Sequence, residues 1–204
     1  MSRTEILADR YWQIAFVWHG DRWAHTIAAV VGDRLVPLLD SREGTPVDRW
    51  PASPPLSDLH RQDARGANTV MLLGMAGRSH WSVTVQLSEG DRAASFQVAC
   101  RIHAEWPAAA APDRGAWPLG SRYRSSVCPR QQSPQAAWLA EQDLAVQLVA
   151  GPVADAPPGP PVTIATADHA LDILPGPQGN SLPRTVRWNY CLTQTDTPGP
   201  SAIE

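Results

Sequence analysis

The sequence contains no lysine: all seventeen of its basic residues other than histidine are arginine. That excludes lysine Schiff-base chemistry and a Walker-type phosphate loop, both of which need the ε-amino group. Cysteine is nearly as scarce, with three residues at positions 100, 128 and 191. None of these spacings matches a zinc knuckle or a redox Cys-x-x-Cys pair. No stretch approaches 18 uninterrupted apolar residues, so no membrane-spanning helix is expected. The first ten residues alternate charge with short apolar pieces and lack the apolar centre of a signal peptide. With the odd cysteine count, this leads to the expectation of reduced thiols and a cytoplasmic location. The formal net charge of −3 leaves no large basic surface, so nucleic acid is not an expected partner. Arg122, Arg124 and Arg130 are close in sequence and form the one local cluster that resembles a phosphate-binding patch; solvated loop arginines are the simpler reading.

The sequence is rich in other things. Hydrophobic residues make up 43% and charged residues 18%, the balance of a globular chain. Twenty prolines mark long connections between elements. The elements themselves read at period two. Trp12, Ile14, Phe16 and Trp18 share one face of a strand over residues 11–19. Residues 23–31 and 34–39 follow, joined by the tight-turn pair Gly32-Asp33, which makes a three-stranded meander. Further strands are expected near 68–73, 79–87, 94–104, 122–128 and 185–193; 144–150 reads as a buried strand or a continued helix, and 162–167 with 170–174 as two strands or one bent strand. In the 94–104 strand, Phe96, Val98, Cys100 and Ile102 share one face, while Gln97, Arg101 and His103 take the other. Ser53-Pro54 and Ser133-Pro134 carry helix-start chemistry, a capping hydroxyl followed by proline at the first helical position. Short helices are therefore expected over 53–60 and 133–142.

Proline-rich loops are expected at 40–55, 105–121, 151–161 and 175–183. No βαβ alternation and no repeat of fixed period occur. The fold class that follows is mainly β: an antiparallel β-sandwich or barrel of about nine or ten strands, with one or two short helices and long Pro-rich loops. One β-rich domain over 1–195 and a frayed tail over 196–204 complete the expected organisation.

One segment draws attention as a site. Residues 73–84 place Gly74, Gly77, Arg78, Ser79, His80 and Trp81 between two apolar runs. Glycines permit left-handed backbone angles, and successive N–H groups can then converge on a phosphate or carboxylate. Arg78 would add a two-pronged clamp and Ser79 a donor. The plainer reading is a hairpin turn. Ser79 is not in a Gly-x-Ser-x-Gly context, and His80, its neighbour on a strand, points to the opposite face.

His25, His80, His103 and His169 all fall in or beside strands, but no His-x-His pair occurs, so no metal and no cofactor is assigned. Of nine tryptophans, Trp12, Trp18, Trp23, Trp81 and Trp188 fall in expected strands, and Trp50, Trp106 and Trp117 form a loop set, each followed by proline. Strand tryptophans in apolar phase read as core, and the loop set suits a partner. The expectation is a non-catalytic module that binds a partner protein or a small anionic ligand. The alternative is a hydrolase or metal-dependent enzyme using His80, His103 and His25, with Arg78 orienting an anionic substrate.

Overall fold

A computed structural model describes residues 3–43, 52–62, 68–103, 119–141, 143–151, 161–176 and 181–196. The described chain forms fifteen strands. The first four are β1 (Thr4–Ala8), β2 (Trp12–Trp18), β3 (Trp23–Val31) and β4 (Arg34–Ser41). Next come β5 (Leu56–Gln62), β6 (Asn68–Ala76), β7 (Ser79–Ser88) and β8 (Ala93–Ile102). Then follow β9 (Ser121–Ser125), β10 (Arg130–Ser133), β11 (Ala136–Glu141) and β12 (Leu144–Gly151). The last three are β13 (Val162–Ala167), β14 (Ala170–Pro175) and β15 (Arg184–Thr195).

They build two antiparallel sheets, of seven strands in the order β1-β2-β3-β4-β9-β14-β13 and of eight in the order β10-β11-β12-β15-β8-β7-β6-β5. Neither sheet closes on itself, so of the two expected architectures the barrel is excluded. One core lies between the sheets, to which both contribute: Trp12, Ile14, Phe16 and Tyr123 from the first, Phe96, Trp188, Tyr190 and Leu192 from the second. At one side, edges β10 and β13 are stitched together. The Ile164 amide donates to the Pro134 carbonyl at 2.6 Å, and the Gln131 side-chain amide donates to the Ile164 carbonyl at 2.6 Å. Such pairing blunts two strand edges that would otherwise be open to other chains.

Both expected helices are absent, and no helix occurs among the described residues. The first gives way to tertiary pairing. Ser53 does not cap a helix; its hydroxyl donates to the Arg122 carbonyl at 3.1 Å and accepts from the Arg122 amide at 3.1 Å. Two consecutive prolines then carry the chain as a fully buried strap, residues 52–56, from the seven-stranded sheet to the eight-stranded one. There Leu56–Gln62 pairs with β6. At the second, Pro134-Gln135 is the turn of a hairpin, with the Ser133 hydroxyl accepting from the Gln135 amide at 3.2 Å. β11 then alternates, with Ala137 and Leu139 inward and Trp138 half-exposed. In both places local capping chemistry loses to cross-strand pairing and burial.

The strand count exceeds the expected nine or ten because β1, β5, β10 and β11 were not anticipated. The first meander has four strands, with Asp9 Oδ1 accepting from the Tyr11 and Trp12 amides at the β1–β2 turn. The 162–174 region is a hairpin of two strands, not one bent strand. The expected Pro-rich loops fall largely outside the described residues, as do residues 197–204 of the expected tail. Among the described residues no helix is long and apolar enough to cross a membrane.

Two glycines of β6 and its turn separate packing from conformational need. Gly74 has its missing side chain aimed at the strap: a Cβ there would lie 1.7 Å from the Pro55 carbonyl oxygen. Gly77 has φ of +57° with open space around it. Gly77→Ala is expected to cost about 1–2 kcal/mol through backbone conformation alone. Gly74→Ala must push the strap off β6 and is expected to cost about 3 kcal/mol or more. Urea unfolding of the two variants tests this; equal losses would mean that the strap does not depend on the gap at Gly74.

Candidate ligand-binding site

The β6–β7 connection is a two-residue turn, with Gly77 in the left-handed region and Ala76 paired with Ser79. This positive φ at the first central position suits the right-handed twist of the strands. From that turn the pleat sends alternate residues of β7 to opposite faces. Ser79 and Trp81 point into the core, 4% and 2% exposed, while His80 and Ser82 point outward. The predicted segment is thereby divided. Gly74 faces the strap, Gly77 and Arg78 form the exposed turn, and only His80 and Arg78 carry chemistry to the outer surface.

What joins them comes from other strands. His80 pairs with Arg101 on β8, and Arg101 with Thr185 on β15. One row further along, Ser82 pairs with Ala99, and Ala99 with Arg187. His103 follows β8, and its ring meets His80 edge-on with centroids 5.4 Å apart. Arg101 and Arg187 are diagonal neighbours on one face, about 7–8 Å apart at the backbone by sheet geometry. Between these side chains lies a groove of about 610 Å³, floored by Ser82 and Ala99 and bordered by Leu73, Met75, Arg101 and Arg187.

The electrostatics of this face are uneven, with Arg101, Arg187 and His80 lining one end of the groove and Asp58 the other. Arg3, Arg10, Arg22, Arg92 and Arg122 each have an acidic neighbour, Glu5, Glu89, Asp21, Asp196 and Asp172 respectively. Among the described residues, Arg78, Arg101 and Arg187 have no ion pair. His103 has its pKa lowered, first by partial desolvation and then by the charges of Arg101, His80 and Arg78. Like charges held this close on one sheet face repel, and a bound anion relieves the repulsion.

Arg101 and Arg187 were not among the expected site residues. The alternation in 94–104 already set Arg101 on the polar face, and in the expected 185–193 strand Arg187 stands between Val186 and Trp188, which both point the other way. What one strand cannot reveal is which neighbour it takes. The register that sets β8 between β7 and β15 is the missing information.

The other candidates separate. His25 lies inside the sandwich, 8% exposed, against Phe16 and Phe96, so it does not meet His80 or His103 on the outer face. His169 is in a turn and bonds the Ser125 carbonyl through Nδ1 at 3.1 Å. No group of three or more His, Cys, Asp or Glu side chains suited to a metal occurs among the described residues. The Arg122–Arg124–Arg130 cluster does not form a surface patch, because Arg122 is 4% exposed and held by the Ala52 carbonyl at 2.5 Å and by Asp172. Cys100 is buried, its thiol pushed up to about 12 by desolvation, which makes it an inert core residue. Trp12, Trp23, Trp81 and Trp188 are core residues. Trp50, Trp106 and Trp117 lie outside the described residues.

No protein-family model matches this chain, and no curated protein matches it.

Within the core, His25 begins a polar chain that joins the sheets. Its Nε2 bonds the Tyr123 hydroxyl at 2.9 Å, and Tyr123 bonds Tyr190 across the interface. Its buried Nδ1 has no hydrogen-bond partner among the described residues. Desolvation therefore pushes the His25 pKa from 6.5 down to about 4. Between those values the unfolded chain takes up a proton that the folded chain refuses. Stability is then complete above pH 6.5 and declines as pH falls toward 4, by on the order of 3 kcal/mol at 1.36 kcal/mol per pKa unit. Urea midpoints at pH 7.5 and 4.5 should show that His25→Phe, though less stable at neutral pH, loses much less on acidification than the parent. An equal acid loss in both proteins would show that His25 does not control it.

Proposed function

We propose that this chain is a binding module that takes a small anionic ligand on the outer face of its eight-stranded sheet, in the groove between Arg101, Arg187 and His80. The observation that carries this reading is the pair of arginines, Arg101 and Arg187, without carboxylate partners among the described residues, beside a concavity lined also by the small side chains of Ser82 and Ala99. Arginine presents paired N–H donors that match a carboxylate or phosphate. Ala99 and Ser82 leave room for the ligand between the long side chains, and Ser82 adds a hydroxyl. Arg78, on the adjoining turn, contributes long-range attraction. His103, when protonated, adds charge beside the same site, and His80 lines it.

The enzyme alternative finds less support. Its third histidine, His25, is in the core, and the two outer histidines stand among arginines whose charge disfavours a bound cation.

Arg101→Gln and Arg187→Gln should each weaken binding of citrate and inorganic phosphate at least tenfold in isothermal titration calorimetry, with the melting temperature within a degree or two of the parent. Arg78→Ala should weaken it less. Arg3→Gln, at a distant site, should leave it unchanged; an equal loss there would reduce the binding to nonspecific charge.

Affinity for sulfate, an anion that does not itself titrate in this range, should also rise as pH falls from 7.5 to 5.5. The anion raises the His103 pKa that Arg101, His80 and Arg78 hold down in the free protein, so binding takes up protons. Calorimetry in buffers of different ionisation enthalpy measures that uptake, and proton release on binding would contradict the site.

A further inference from the structure

The groove does not end at its cationic side. Its long direction crosses five strands, and one row of cross-strand partners runs along it: Arg187 on β15, Ala99 on β8, Ser82 on β7, Leu73 on β6 and Asp58 on β5. All five border the same concavity. The row is a charge gradient, with cation at one end, small and apolar side chains in the middle and a carboxylate at the other end. Asp58 is exposed, and its carboxylate accepts from the adjacent Ser57 hydroxyl at 3.4 Å. Like Arg101 and Arg187, it has no ion pair among the described residues.

The middle of the row is unusual for an outer face. Leu73 is 39% exposed and its strand neighbour Met75 is 59% exposed, two of the few large apolar side chains left in solvent. They lie between the two charged ends, on the β6 side of the floor. Methionine in particular adapts its shape to varied apolar partners.

Four strand spacings of about 4.8 Å set the Asp58 and Arg187 backbones roughly 19 Å apart. Side chains stand roughly perpendicular to a sheet, so the two charged groups are about as far apart as their backbones, and a hydrogen bond of about 3 Å at each end, with some lean of the long arginine, leaves on the order of 11–13 Å. An extended peptide of three or four residues spans that length at about 3.3–3.6 Å per residue. We infer that the ligand of this groove is a short zwitterionic peptide with free termini, about three or four residues long, lying across the strands with its carboxylate between Arg101 and Arg187, an apolar central side chain on Leu73 and Met75, and its ammonium at Asp58. Ser82 and Thr185 supply hydroxyls within the groove for the peptide amides. This inference rests on the anion-binding reading and adds the identity of the ligand and its orientation.

The test uses the full chain and the tripeptide Ala-Leu-Ala in three forms: free termini, N-acetylated, and C-amidated. Calorimetry at pH 7 should give binding of the free form, a loss of at least tenfold on amidation, and a loss of about fivefold or more on acetylation. With Asp58→Asn, a surface change not expected to alter the melting temperature, acetylation should cost nothing further. Equal affinity for free and acetylated peptide in the parent protein would overturn the inference, as would no binding of any form. Citrate binding that depends on Arg101 would in either case still stand and leave the anion-binding reading intact. Loss of that binding as well would remove both.

Discussion

The register of β7, β8 and β15 is the constraint on which the rest of the molecule depends. Trp81, Cys100 and Val186 are direct cross-strand partners, and all three point into the core, at most 2% exposed. Because the pleat alternates, their immediate neighbours must point outward together. His80, Arg101 and Thr185 form one outer row; Ser82, Ala99 and Arg187 form the next. A slip of one residue in β8 would turn Arg101 inward and Cys100 outward. Burying an unpaired guanidinium costs several kcal/mol, so the core selects the register, and the register assembles the outer surface. The grouping of cations outside is thus a consequence of the packing of aromatics inside.

The relation between the two sheets is set by a second kind of contact, polar and buried. The Trp12 indole donates to the Arg92 carbonyl at 2.9 Å, and the Trp188 indole donates to the Ser121 hydroxyl at 3.0 Å. Tyr190 lies stacked on Phe96, with ring planes 7° apart, and reaches across to Tyr123 and through it to His25. Each of these bonds satisfies a group that would otherwise be costly to bury, and each works in one relative placement of the layers only. Apolar packing alone tolerates sliding of one sheet over the other; these directional bonds do not. The strap across the open end acts in the same sense, tying β9 to the start of β5 through Ser53, Ala52 and Arg122.

Much of this was legible from the amino-acid order, for a physical reason. Period-two alternation is local, so β2, β3, β7, β8, β12 and β15 could be read from single segments. Elements whose identity depends on a distant partner could not. The strap and β5 follow a serine-proline pair that favours a helix by local chemistry, and only the contact with Arg122, sixty-nine residues away, decides otherwise. The site shows the same division. His80 and Arg78 belong to a segment conspicuous for its glycines, and the pleat sends its other members, Ser79 and Trp81, into the core. Arg101 and Arg187 come from segments with no motif at all, and they meet because β8 pairs with both β7 and β15. A functional surface built across strands leaves no contiguous signature.

The most direct measurement of this account is a backbone amide nuclear magnetic resonance titration with inorganic phosphate. The account predicts shift changes concentrated at His80, Ser82, Ala99, Arg101, Thr185 and Arg187, a contiguous patch drawn from three strands. Changes spread evenly over exposed arginines such as Arg3, Arg34 and Arg61, or none in this patch, would contradict it.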